Sequence, residues 1–190
     1  MKHMRTMKVL DGQEFKIEDT IAFALTDGET VEALAVRQDE DTTTFITVDC
    51  LQKEYPLIDS HGKYTGYENS NLRTKLNGEI LDRFPEEIRS RMAPFENGDL
   101  LRIPTEREMF GENIYGEIEP DSVEQFEPMK LRRNRIALQG HNGAWEWYWL
   151  QNRSVYSASD AAIVSFSGTA NNSGASDSLG VRPLFKIRNR

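Results

Sequence analysis

A single cysteine, Cys50, serves the whole chain, so no intrachain disulfide can staple the fold and no cysteine-rich metal centre can form. It lies in the alternating stretch Phe45-Ile46-Thr47-Val48-Asp49-Cys50-Leu51, where a buried small hydrophobe is the expected role. Long apolar runs are missing too. Nothing approaches the roughly 20 residues of a membrane-spanning helix, and Met1-Lys2-His3-Met4-Arg5 lacks the apolar core of a signal peptide. The chain is therefore expected to be synthesised in the cytoplasm, without membrane insertion. Positive charge is scarce: 23 Lys and Arg face 31 Asp and Glu, a net charge of −8. Binding nucleic acid calls for a basic surface, so that class of partner is set aside. The one basic cluster, Lys130-Leu131-Arg132-Arg133-Asn134-Arg135, reads as a solvated helix face or loop. Glycine-rich phosphate loops, HExxH and GxSxG are all absent. No catalytic residue, metal ligand or cofactor is expected.

What is present suits a soluble α+β protein. At 190 residues, with 38% apolar and 28% charged side chains, the chain fits an N-terminal extension (1–19) and one domain (20–190). Thr20 to Leu25, Val31 to Val36 and Thr43 to Leu51 alternate as strands. The turn signal Asp27-Gly28 and the charged loop Gln38 to Asp41 separate them, which predicts an antiparallel meander. From Asn69 the period becomes helical. Leu72, Leu76 and Ile80 share a face, Ser70 is placed to cap it, and Asn77-Gly78 interrupts it. Pro85 to Met92 reads as a second short helix, and Thr105 with Glu108 forms a capping box. Gly111 to Glu127 has little periodicity and reads as an acidic loop. The turn at residues 140–143 leads into an aromatic run.

The last quarter of the chain is bounded by two hydrophobic clamps, Trp145 to Leu150 and Leu179 to Phe185. Alternation puts Trp145, Trp147 and Trp149 on one side of the first clamp and Glu146, Tyr148 and Leu150 on the other. That pattern fits either a strand covered on both faces or a partly exposed aromatic patch. Between the clamps, Ala162 to Phe166 predicts a strand, and the polar run Asn171 to Ser178 predicts a loop. Val181 to Ile187 predicts a final strand with Pro183 at an edge or bulge. Arg182 is expected to pair with a carboxylate or with carbonyls near the loop base.

Three elements carry a family resemblance. Tyr67-Glu68-Asn69-Ser70-Asn71-Leu72-Arg73-Thr74-Lys75-Leu76-Asn77 resembles an aromatic-x-Asn-Ser-x-x-Arg-x-x-Leu-Asn element. The Pro104-Thr105-Glu106-Arg107-Glu108 stretch resembles a Pro-Thr-x-x-Glu element, and Trp147-Tyr148-Trp149-Leu150 with Gly180-Val181-Arg182-Pro183 resembles a terminal signature. Together they resemble a phage- and prophage-associated family with a C-type-lectin-like fold, related to the formylglycine-generating enzymes. The matches run from about Thr20 to Ile187. They imply antiparallel sheets with short helices and long loops, and a first strand that pairs with the last. The family is similar to the variable proteins of diversity-generating retroelements, whose C-terminal segment binds partner surfaces. Ser, Ala, Asn, Asp, Thr, Gly and Tyr, which fill residues 151–178, are reachable by adenine substitution in Asn codons.

This chain departs from the family pattern at Gln151-Asn152, which stand between Trp149-Leu150 and the Arg153-Ser154 that normally follows directly. It has no counterparts to the formylglycine-generating cysteines, and Glu119-Pro120-Asp121 is a poor match to a lectin calcium motif. The expected function is a ligand- or receptor-binding protein, with structural or assembly work in a virion as the alternative. Tyr-, Ser- and Asn-rich loops suit recognition because tyrosine supplies contact area at low entropy cost and small polar residues adapt their hydrogen bonds. The candidate contacts are Gln151, Asn152, Arg153, Val155, Tyr156, Ser157, Ser159, Asp160, Asn171, Asn172 and Ser173. A protein or cell-surface ligand, a virion component or a second copy of the chain are the partners considered.

Overall fold

The alternating N-terminal stretches pair as their turns require. The computed structural model describes residues 15–189, so residues 1–14 of the expected extension lie outside it. β1 (Thr20–Ala24), β2 (Thr30–Gln38) and β3 (Thr42–Thr47) form the antiparallel meander. The chain's last strand, β10 (Leu184–Arg188), lies against β3, and β4 (Met92–Ala93) closes the order β1-β2-β3-β10-β4.

Two expectations fail in this sheet. The first and last strands do not pair: β1 bonds to β2, and β10 sits between β3 and β4. A strand as apolar as β10 needs an interior position, and β3, buried from Thr43 to Thr47, supplies that neighbour. Pro183 marks neither an edge nor a bulge. The ladder begins at Leu184, so the missing proline N–H falls outside it, while the Pro183 carbonyl still accepts from Thr47 N at 3.0 Å.

The helices are short and form where the local signals placed them. Ser70 Oγ accepts from Arg73 N at 3.1 Å and starts α1 (Asn71–Lys75). Leu72, Leu76 and Ile80 are wholly buried, and Gly78 breaks the helical path at φ −123°, ψ −107°. Asn77 then acts as a clamp. Its Oδ1 accepts from Leu100 N and Leu101 N while its Nδ2 donates to the carbonyls of Arg73 and Leu101. α2 (Glu86–Arg89) follows Pro85, and α3 (Glu106–Phe110) carries the full Thr105/Glu108 capping box. α4 (Arg132–Arg135) carries the basic cluster, whose residues 130–133 are exposed as expected of a solvated face; Arg132 Nε also donates to Ser167 O and Arg135 Nε to Gly168 O, so two of its arginines brace a turn as well.

The C-terminal clamps enclose a second layer. β5 (Ala137–Leu138) pairs with β6 (Trp145–Glu146), and β7 (Tyr148–Arg153), β8 (Asp160–Val164) and β9 (Ala170–Gly174) form a three-stranded antiparallel sheet. The expected loop at Asn171 to Ser178 is thus a strand in its first half. Composition favoured a turn, but the buried run Ala161 to Val164 leaves an edge whose backbone groups β9 satisfies. One face of this sheet sends Trp149, Ala161 and Ile163 into a core shared with Phe45, Phe84 and Phe185. The other sends Tyr148, Leu150, Ala162 and Val164 into a core with Ile46, Met109 and Phe126. β7 is therefore covered on both faces, whereas Trp145 beyond it is 65% exposed. Cys50 is buried as expected, and burial pushes its thiol far above the ordinary range. The result is an α+β fold of mostly antiparallel strands. Among the described residues, no helix is long and apolar enough to cross a membrane.

Candidate functional site

β7 becomes irregular between Trp149 and Arg153, around Gln151 and Asn152. Trp149 pairs with Ile163 and Arg153 with Ala161, so four steps on β7 span two on β8. The surplus is two residues, 4 − 2, and falls within the stretch that holds Gln151 and Asn152. Such a bulge bends the strand and re-aims its side chains. Here it turns them towards the start of α3. Gln151 donates from its backbone N to Pro104 O at 3.0 Å and from Nε2 to Ile103 O at 2.7 Å. Asn152 Oδ1 accepts from Glu106 N at 2.8 Å, and its Nδ2 donates to Glu119 Oε2 at 2.8 Å. Both were expected as contacts for a ligand. Their polar groups are instead committed to the scaffold.

Glu106 continues that scaffold. Its carboxylate is fully buried and accepts from the backbone N–H groups of Ile114, Tyr115 and Gly116 at 2.8–2.9 Å. A buried charge is tolerable only when hydrogen-bonded in this manner. Three successive donors aimed at one anion fix the path of the 113–117 loop. Gly116 must stay small: a Cβ there would lie 2.5 Å from Asn152 Cβ and 2.9 Å from Glu106 Oε2. The loop then zips onto the end of β7, with Glu117 N donating to Arg153 O at 2.8 Å and Val155 N to Tyr115 O at 2.9 Å.

What this rigid pair of segments presents outward is apolar. Among the described residues seven large hydrophobics are exposed, and four of them lie here: Ile114 (39%), Ile118 (89%), Val155 (57%) and Tyr156 (70%). Tyr115 and Tyr156 add a tilted ring pair with centroids 5.4 Å apart. Arg153 and Glu117 form an ion pair across the two segments at 3.4 Å. These groups stand on two segments paired through their backbones, and exposed apolar side chains concentrated in this way make the region a candidate interaction surface. Beside it, a cleft of about 340 Å³ is lined by Tyr67, Glu68, Ile118, Gln151 and Arg153.

The eleven expected contacts separate into three groups. Gln151 and Asn152 are structural, Arg153, Val155 and Tyr156 belong to the apolar surface, and the rest form a polar face. Within that face Ser159 Oγ donates to Asp160 Oδ1 and Asn172 Nδ2 to Asp160 Oδ2, at 3.2 and 2.9 Å. Ser157 shares a hydroxyl contact with Ser159 at 3.1 Å, and Ser173 donates to Asp177 at 2.9 Å. Asn171, Asn172 and Ser173 sit on β9 and are half-buried. Ile114, Tyr115 and Ile118 were missed by the sequence reading. Their signal was there, as isoleucines inside an acidic segment with no periodicity to bury them.

Arg182 is structural and pairs with oxygens other than carboxylates. It is 1% exposed, with Nε donating to Thr47 O and Nη1 to Tyr148 Oη, and Tyr148 in turn donates to Arg135 O. Burial pushes the Tyr148 phenol up to about 12, so it remains a neutral donor in this chain. No family model, curated protein or solved structure matches the chain.

Proposed function

We propose that this chain is a non-enzymatic binding module that recognises a protein or cell-surface ligand through the surface made by residues 112–119 and 153–156. One observation carries the reading: exposed Ile118, Val155 and Tyr156 stand on a backbone held by the buried Glu106 and the half-buried Asn152, so the apolar surface is preorganised. Preorganisation lowers the ordering cost of association. The phage-type receptor-binding role and the lectin-like scaffold rest on the three sequence elements, and the motif residues support them by their structural work at Ser70, Asn77, Thr105 and Arg182. Diversification by a retroelement is part of the same proposal, narrowed by the geometry. A DNA near-repeat of the C-terminal segment should vary at the codons for Val155 and Tyr156 and spare Asn152.

The test is saturable binding of labelled protein to a panel of intact bacterial cells and arrayed surface glycans, with an Ile118→Ser/Val155→Ser/Tyr156→Ser variant alongside. Loss of binding with an unchanged melting curve supports the reading, and equal binding by the variant refutes it. A second reading, assembly into a larger structure, is favoured by a different surface. Trp145 (65%) and Phe166 (51%) are exposed, and Phe166 stacks on Trp147 at 6.0 Å between centroids. Light scattering after size exclusion distinguishes them: an oligomer dispersed by Trp145→Ser favours assembly.

A further inference from the structure

A row of side chains crosses the middle of the larger sheet with no counterpart in the surface just described. Thr44 on β3 pairs with Arg37 on β2 and with Lys186 on β10. Directly opposed residues on adjacent strands project from the same face with Cβ atoms about 5 Å apart, which sets Arg37 and Lys186 about 10 Å apart across the threonine. Arg37 reaches this row because of a register shift. Ala35 pairs with Phe45, and the next pair is Arg37 with Thr44, so Val36 is the extra residue. Without that bulge Arg37 would project from the opposite face of the sheet.

The row is the wall of a cavity of about 590 Å³ that also includes Phe95, Arg102 and Glu108. Along the row itself, positive charge is in excess. Arg102 and Glu108 are already matched, by a two-pronged contact at 2.6 and 2.8 Å. Arg37 lies 3.8 Å from that same carboxylate as the outer member of a shared pair, with Nη2 donating to Glu124 O at 3.2 Å and the guanidinium 4.8 Å from the Phe126 ring centroid, so its charge is held in place but only partly neutralised. Lys186 is half-buried with its ammonium 5.2 Å from the Phe95 ring centroid, and no carboxylate among the described residues pairs with it. Two cations in excess of one neutralised pair, a hydroxyl residue between them and an open cavity in front are what an oxyanion needs. The lining as a whole holds three cations, Arg37, Arg102 and Lys186, against four carboxylates; Glu108 is matched within the row and Glu68 by Arg73 at 2.8 Å, so the cationic excess is confined to the row while Asp39, Glu68 and Glu96 form an acidic outer lining. They disfavour an extended polyanion and admit a compact group that reaches the row.

We propose that Arg37, Thr44 and Lys186 form a binding site for a small molecule carrying a phosphate or carboxylate group. The site is distinct from the apolar recognition surface, so the failure of either proposal leaves the other standing. Calorimetry and thermal melting of the full chain, titrated with inorganic phosphate and separately with acetate at constant ionic strength set by chloride, test it. The expected result is a saturable response to at least one probe, and the responding probe identifies the group. Lys186→Met and Arg37→Met each keep an aliphatic stem in place and should weaken that response about tenfold or more, the range of a charge-assisted hydrogen bond. Using both guards against either one failing to fold, and Arg133→Gln, an exposed arginine outside the cavity, should leave binding unchanged. Responses no larger than that of chloride for both probes, or wild-type affinity in the folded variants, would overturn the proposal.

Discussion

Glu106 holds three backbone donors with one buried carboxylate, and the candidate surface depends on that arrangement. Replacing it with glutamine keeps the shape but removes the charge and turns one acceptor into an amide that faces N–H groups. Glu106→Gln should lower folding stability by about 2 kcal/mol, read as a shift in the urea midpoint with an unchanged slope. Amide exchange at Ile114, Tyr115 and Gly116 should rise with it. An unchanged midpoint would mean that the loop is held by its pairing with β7 alone. The capping box that begins this helix was legible in the sequence because Thr105 and Glu108 act on their own neighbours. The role of Glu106 was not, since its partners lie eight to ten residues downstream in a segment without periodicity.

At the scale of elements, the bulge in β7 and the loop it grips form one unit. Ser70, Gly78 and the hairpin at Asp27-Gly28 could be placed from local chemistry alone, and the structure has each where expected. The strand β9 and the position of β10 could not, because both depend on which edge a distant segment leaves open. Asn171 to Gly174 has the composition of a turn, yet β8 recruits it. Deleting Gln151-Asn152 should restore regular pairing between β7 and β8 while cutting the link to α3. The expected outcome is a retained melting transition with lost amide protection from Asn113 to Glu117. If those amides stay protected, these two residues are incidental to the loop.

For the whole molecule, two carboxyl groups give stability opposite dependences on pH. Glu146 is raised to about 7, first by burial and then by a hydrogen bond shared with the neighbouring Glu54 carboxyl. Between its ordinary value near 4.5 and about 7 the folded protein keeps a proton that the unfolded chain has released, so this contribution falls as pH rises through that window. Glu108 behaves in the reverse sense. Burial pushes its carboxyl up, but the Arg102 guanidinium more than offsets this and holds it below the usual range. Its contribution is therefore present above the ordinary carboxylate value and is lost as pH falls through the lowered one. Melting curves from pH 4 to 8 should flatten between about 4.5 and 7 in Glu146→Gln. A slope identical to the wild type would remove Glu146 as its source.

The central claim is that recognition runs through the apolar surface of Ile118, Val155 and Tyr156 and leaves the polar strand at 171–173 aside. The direct measurement is the affinity of two folded variants for one cell-surface ligand found with the wild type. One carries serine at the three apolar positions, and the other carries Asn171→Ala, Asn172→Ala and Ser173→Ala. The account predicts that the first loses about a hundredfold or more in affinity, since each buried apolar anchor is worth about 1 kcal/mol or more, and that the second stays within about threefold of the wild type. The reverse pattern would contradict it.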